Sequence, residues 1–219
     1  MIERYLNLGI RVNWRKPYDA PDSTTGDLAL SRNPPNAMTY DGLDGELVNA
    51  QFMAVNVSTT GLAMRQPIAH SWLDYMPGGT AYMPAPAQDT LTGWMSGCPL
   101  ARWTSSTGQV FIGHIGTIDT NPIANARVKS QFLATMEANT TAFNPFAAWP
   151  TAEIAVVQSK FKKSSVNPYI MGLITASGEF YAILIFGIMP RSGAMNEWCI
   201  GGCKQVAPMD SAQLRVLLS

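Results

Sequence analysis

The sequence predicts a mixed α/β fold of the α+β kind: a mixed or antiparallel β-sandwich with few covering helices. Three observations point there. Segments with strand-like alternation outnumber helical ones, and only one long stretch carries a clear helical period. Hydrophobic residues make up 47% of the chain and charged residues only 14%, against about one quarter charged in an ordinary globular domain. That balance is the reverse of a disordered chain's and suits strands buried or half-buried between uncharged loops. The 219 residues fit one domain, 1–219, with no repeat, low-complexity tract or linker to divide it.

Residues 1–50 are crowded with turn signals, among them Asn33-Pro34-Pro35-Asn36, Asp41-Gly42 and Asp44-Gly45, and read as loops around a short strand at Ile10-Arg11-Val12. Gln51 to Ser58 alternates as a strand, and Ala81-Tyr82-Met83 reads as another between Gly78-Gly79 and Pro84. Gln109 to Ile118 is the clearest strand, with Val110, Ile112 and His114 on one face and Phe111, Gly113 and Ile115 on the other. Asp119-Thr120-Asn121-Pro122 has a polar cap followed by proline, which starts a helix running to about Glu137. Ala152 to Phe161 is expected to be a strand. Tyr169–Thr175 and Glu179–Ile188 form a hairpin about Ala176-Ser177-Gly178, Trp198 to Val206 is a last strand, and Asp210-Ser211 caps a final helix.

The formal net charge is +0. With no broad basic stripe, nucleic-acid binding has little support and is not expected, and Lys160-Phe161-Lys162-Lys163 reads as a solvated turn. The most apolar run, Tyr181 to Met189, is about half the length a membrane helix needs, so no membrane partner is expected. Met1 to Leu6 lacks a charged-then-apolar leader, which predicts a protein made in the cytoplasm without a cleaved signal. The odd count of three cysteines, Cys98, Cys199 and Cys203, argues against a disulfide framework. Cys199 and Cys203, four apart, could form half a zinc site, but with no second cysteine pair and only His70 and His114 as histidines, buried inert thiols are the simpler reading. No metal or cofactor is expected.

The chemistry concentrates between Leu91 and Thr117. Gly97 allows a sharp turn before Cys98, and Pro99 suits the first position of a helical turn. A thiol at such a helix start would be favoured as thiolate, and the free N–H groups about Ser96 and Gly97 would hold an oxyanion. His114 follows on the next strand, and sequential elements joined by the Thr104–Gly108 loop pack side by side. Cys98 and His114 are thus expected within hydrogen-bond reach, as nucleophile and base. The bland alternatives are a buried inert thiol and a core histidine. His70 is the fallback base, and Trp72, Trp94 and Trp103 are flanking or core aromatics.

Met95-Ser96-Gly97-Cys98 resembles the Leu-Ser-Gly-Cys motif of bacterial glutamine-deamidating toxins, the group of the cytotoxic necrotizing factor catalytic domain and the Burkholderia lethal factor; the chemotaxis receptor deamidase has a related arrangement. In that family a strand-borne histidine follows the cysteine by about a dozen to seventeen residues, and here 114 − 98 = 16. A threonine six residues before the cysteine orients the histidine in the single-domain members, and here 98 − 6 = 92 is Thr92. The likeness covers residues 92–114. It departs at Met95 and at Pro99, which removes a backbone donor beside the nucleophile. The resemblance implies a toxin or effector, made in a bacterial cytoplasm and delivered to a host cytosol. It would convert a glutamine of a host protein, GTPase or translation-factor-like, to glutamate through Cys98, His114 and Thr92. A transglutaminase is the close variant, with an amine in place of water. A papain-like protease fits less well, its histidine lying much farther from its cysteine. The rival from another class is a non-enzymatic β-rich structural or binding protein, which the low charge and loop-rich ends suit equally.

Overall fold

The computed structural model describes residues 2–6, 8–13, 28–31, 36–43, 68–160, 167–188 and 197–219. The strand expected at Gln51–Ser58 and most of the Lys160–Lys163 run lie outside them. Twelve strands are described: β1 (Ile10–Asn13), β2 (Leu28–Leu30), β3 (Asn36–Leu43), β4 (Ile68–Trp72), β5 (Thr80–Pro84), β6 (Thr90–Thr92), β7 (Leu100–Thr104), β8 (Val110–Ile115), β9 (Thr141–Phe143), β10 (Asn167–Ile174), β11 (Phe180–Ile188) and β12 (Glu197–Val206). Three α-helices accompany them: α1 (Pro122–Thr135), α2 (Thr151–Gln158) and α3 (Ser211–Leu218). The α+β class with few covering helices is what the sequence predicts.

The strands form two sheets. One closes on itself as a barrel in the order β1-β12-β11-β10-β6-β4-β3, and the other is five-stranded in the order β2-β5-β8-β7-β9. Neighbours are antiparallel except for β4 with β6 and β2 with β5. Closure removes edges that would otherwise pair with another chain.

Three apolar layers follow from strand alternation. Trp72, Leu91, Leu173, Ile183, Ile185 and Ile200 fill the barrel. The opposite faces of β10 and β11, with Ile174, Phe180, Leu184 and Phe186, pack on Ala81, Met83, Leu100, Ile112 and Phe143 of the second sheet. The far face of that sheet, with Ala101, Ile115 and Ala142, is covered by Val128 and Phe132 of α1 and by Leu214 and Leu218 of α3. β11 is therefore buried on both faces, which explains its unbroken apolar run, Ala182 to Phe186.

The helix caps behave as expected. Asn121 Oδ1 accepts from Ala124 N at 3.0 Å. Asp210 and Gln213 form a reciprocal capping box on α3.

Two readings are corrected. Thr151–Gln158 is helical, although a strand was expected over Ala152–Phe161. Proline at the N-cap stops the chain from joining a ladder, and the helical period turns Ile154 and Val157, three apart, onto the core. Lys204 of β12 ties the helix down through Glu153 at 2.6 Å and the Ala148 carbonyl at 2.9 Å. Leu28–Leu30 and Asn36–Leu43, both expected as loop, are strands, the first paired with β5 and the second with β1 and β4. The Asp41-Gly42 signal marks a register shift there: Arg11 pairs with Gly42 and Val12 with Tyr40, leaving Asp41 as the extra residue of a bulge.

Candidate active site at the seam between the sheets

Thr92 ends β6. Leu91 points into the barrel, so alternation turns Thr92 outward, toward the five-stranded sheet. His114 stands on β8 opposite Ala81 of β5 and Leu100 of β7, on the face that packs against the barrel. The two meet across the seam: Thr92 Oγ1 lies 2.8 Å from His114 Nδ1. A glycine makes that approach possible. Thr92 pairs with Gly172 of β10. A Cβ on Gly172 would lie 2.2 Å from Cδ1 of Leu100, the residue opposite His114. Only a bare backbone there lets the sheets close on the Thr92–His114 bond.

The imidazole is fully buried, at 0% exposure. Burial pushes its pKa down to about 3, so the ring is neutral at physiological pH. Its Nε2 has no hydrogen-bond partner. If Nδ1–H donates to Thr92, Nε2 carries the lone pair that a general base needs.

Cys98 follows the bend at Ser96-Gly97. Gly97 adopts φ +140, a backbone conformation L side chains rarely take, so the expected sharp turn is present. The expected helical turn is not. Leu100–Thr104 continues as β7, paired on both sides, and Pro99 precedes a strand, where its fixed φ is equally at home. Helix-dipole activation of Cys98 and an oxyanion site at a helix start are therefore ruled out for this conformation. Ser96 is exposed and Gly97 half-buried, with the Gly97 carbonyl accepting from Asn144 Nδ2 at 3.3 Å.

Extending the β7–β8 register past the Leu100–His114 pair puts Cys98 opposite Gly116, since 98 + 116 = 100 + 114. Cys98 then shares the face of His114 as its diagonal neighbour, a separation of about 7–8 Å in sheets generally. The thiol is 1% exposed and does not hydrogen-bond to His114. Its sulfur accepts from Thr117 Oγ1 at 3.2 Å and its S–H donates to the Thr117 carbonyl at 3.5 Å. Burial first, and the nearby Asp119 carboxylate second, raise its pKa despite the two Thr117 bonds, so it rests as thiol.

Thr117 and Tyr75 were not singled out in the sequence. The Tyr75 hydroxyl donates to the same Thr117 carbonyl at 3.3 Å, and its ring centre lies 5.0 Å from that of His114. Thr117 sits three residues beyond a candidate histidine at a strand end, a weak signal; Tyr75, before Pro77-Gly78-Gly79, carries none. The tryptophans lie elsewhere. Trp72 and Trp94 belong to the barrel core, and Trp103 is on the opposite face of β7. His70, two residues from Trp72 on β4, shares its barrel-facing side and is not beside Cys98.

Cys199 and Cys203 lie in different layers: Cys199 in the core between the sheets, Cys203 against the barrel core. Four residues apart on a regular strand they would share a face. The register shift opposite Gly201-Gly202 reverses it. This pair cannot converge on one ion.

No family model, curated protein or solved structure matches this chain.

Proposed function

We propose that this protein is a cysteine-dependent protein glutamine deamidase. The observation that carries the reading is the 2.8 Å bond from Thr92 to His114 Nδ1, with Nε2 unpartnered and Cys98 one diagonal step away on the same face. Thr92 fixes the ring, and Nε2 is the atom left for proton transfer.

Thiol and imidazole are both neutral at rest, so the first step moves a proton rather than using a stored ion pair. The Cys98 side chain turns from Thr117 toward His114 as a substrate glutamine enters. The S–H proton passes to Nε2 while sulfur bonds to the carboxamide carbon, giving a tetrahedral oxyanion held by N–H groups of the Ser96–Cys98 bend. The C–N bond then breaks, and ammonia leaves with the proton from His114. Water attacks the thioester, gives a proton to Nε2, and the C–S bond breaks as that proton returns to sulfur. Glutamate and free thiol remain. No metal or cofactor enters the balance. The target is a host protein, and the resemblance favours a GTPase or translation factor.

The test is intact-mass analysis of candidate target proteins after incubation. A gain of about 1 Da per glutamine, absent with Cys98→Ala and with His114→Ala, is expected. A gain that persists without Cys98 refutes the mechanism. A second reading, a non-enzymatic protein with Cys98 as a core thiol, rests on the burial of that sulfur and its bonds to Thr117. It requires that no target gains mass and that iodoacetamide fails to label folded Cys98 even in the presence of targets.

A further inference from the structure

The far face of the five-stranded sheet, away from His114, holds a cavity of about 240 Å³. That is below the roughly 300–1,000 Å³ of drug-sized sites and matches a head group rather than a whole cofactor. Its walls are aromatic. Trp103 and Phe111 are a cross-strand pair on β7 and β8, with ring centres 5.8 Å apart and planes 20° apart. Tyr82 of β5 stands edge-on to Phe111 at 5.7 Å, and Phe132 of α1 stands edge-on to Trp103 at 6.0 Å. Tyr82, Trp103 and Phe111 remain only half-buried, so ring surface is open to a ligand.

Two further features give the cavity a sign. Its one wall carboxylate is Glu137, which makes no ion pair among the described residues. The cavity also abuts the C-terminal end of α1, the negative pole of a 14-residue helix whose last turn carries no basic side chain. Ring faces, a carboxylate and a helix C-terminus all favour positive charge. The wall hydroxyls of Thr135 and Thr140 already donate, to Phe132 O at 3.2 Å and Glu137 O at 2.7 Å. The remaining walls are mostly rings and apolar side chains, which suit the methyl groups of a methylated ammonium better than the three N–H donors of a primary one.

We infer that this cavity binds a trimethylammonium head group. It lies across the sheet from Cys98 and is independent of the deamidase reading.

The test uses the full chain and ligand-observed NMR titration. Choline is compared with 3,3-dimethylbutan-1-ol, its neutral carbon counterpart of the same shape, and with ethanolamine. Choline should bind about fivefold to thirtyfold more tightly than the neutral analogue, the span that cation–π attraction supplies. Glu137→Gln should shrink that ratio several-fold, and Phe111→Leu should weaken choline binding while far-UV circular dichroism stays unchanged. Titration of N-acetyl-trimethyllysine amide beside choline separates the sources: tighter binding of the lysine assigns the head group to a protein side chain, tighter binding of choline to a free small molecule. Equal binding of choline and its neutral analogue, tighter binding of ethanolamine than choline, or no binding of either cation overturns the inference.

Discussion

Lowering the pH should destabilise this protein through His114 by an amount the structure sets. The folded ring takes a proton only near pH 3, because it is fully buried, whereas an unfolded histidine takes one near 6.5. Below pH 6.5 the unfolded chain therefore binds a proton that the folded chain refuses. Stability is full above 6.5 and falls as pH drops toward 3. From pH 7 to pH 5 the loss from this one group is roughly 2 kcal/mol, nearly 1.4 kcal/mol per unit once below 6.5. Urea unfolding of the parent and of His114→Gln at both pH values isolates it, since other titrating groups are common to the two proteins. With an m-value of about 3 kcal/mol/M, the parent's midpoint should fall by roughly 0.6 M more than the variant's. Equal shifts in the two proteins would show that His114 titrates normally, and the buried, neutral base proposed for the site would then be wrong.

Thr92→Val keeps the volume but leaves both ring nitrogens of His114 unpartnered. A cost of about 1–3 kcal/mol, seen as a fall of roughly 2–10 °C in Tm by calorimetry, is expected together with loss of deamidation. Cys98→Ser can keep both bonds to Thr117, so its Tm should move by no more than about 4 °C while target deamidation falls by orders of magnitude in the mass assay. Gly172→Ala drives a methyl into Leu100, at a cost of about 1–3 kcal/mol. In a double-mutant cycle Leu100→Ala should recover part of that loss, and additivity within about 0.5 kcal/mol would mean the two residues do not meet.

Much of the fold is written in local patterns. Val110 to Ile115 alternates as the strand does, the Ala176-Ser177-Gly178 turn joins the hairpin, and Asn121 and Asp210 cap their helices. His114 was legible from the alternation of its strand, whereas Thr92 came only from the deamidase resemblance, six residues before Cys98. What the sequence hid depends on partners far along the chain. Thr151–Gln158 has the residues of a strand, and only the proline before it and the surface its helix covers decide otherwise. Pro99 serves a helix start or a strand entry alike, and β8 with β9 on either side of β7 makes it the second. The bonds from Thr117 to Cys98 depend on where the chain goes after β8 ends, which no periodicity records.

The register shift in β12 bears on redox chemistry. Along an extended strand Cys199 and Cys203 stand about 13 Å apart, roughly twice the Cα separation a disulfide spans, and on opposite faces. Closing that bridge would require unpicking β12 from β1 and β11. The Cys203 thiol, pushed up to about 12 by burial and by Glu3, holds almost no thiolate with which to begin exchange. The folded strand should therefore pass between oxidising and reducing surroundings with both thiols unchanged, and its mass should be the same with and without reductant.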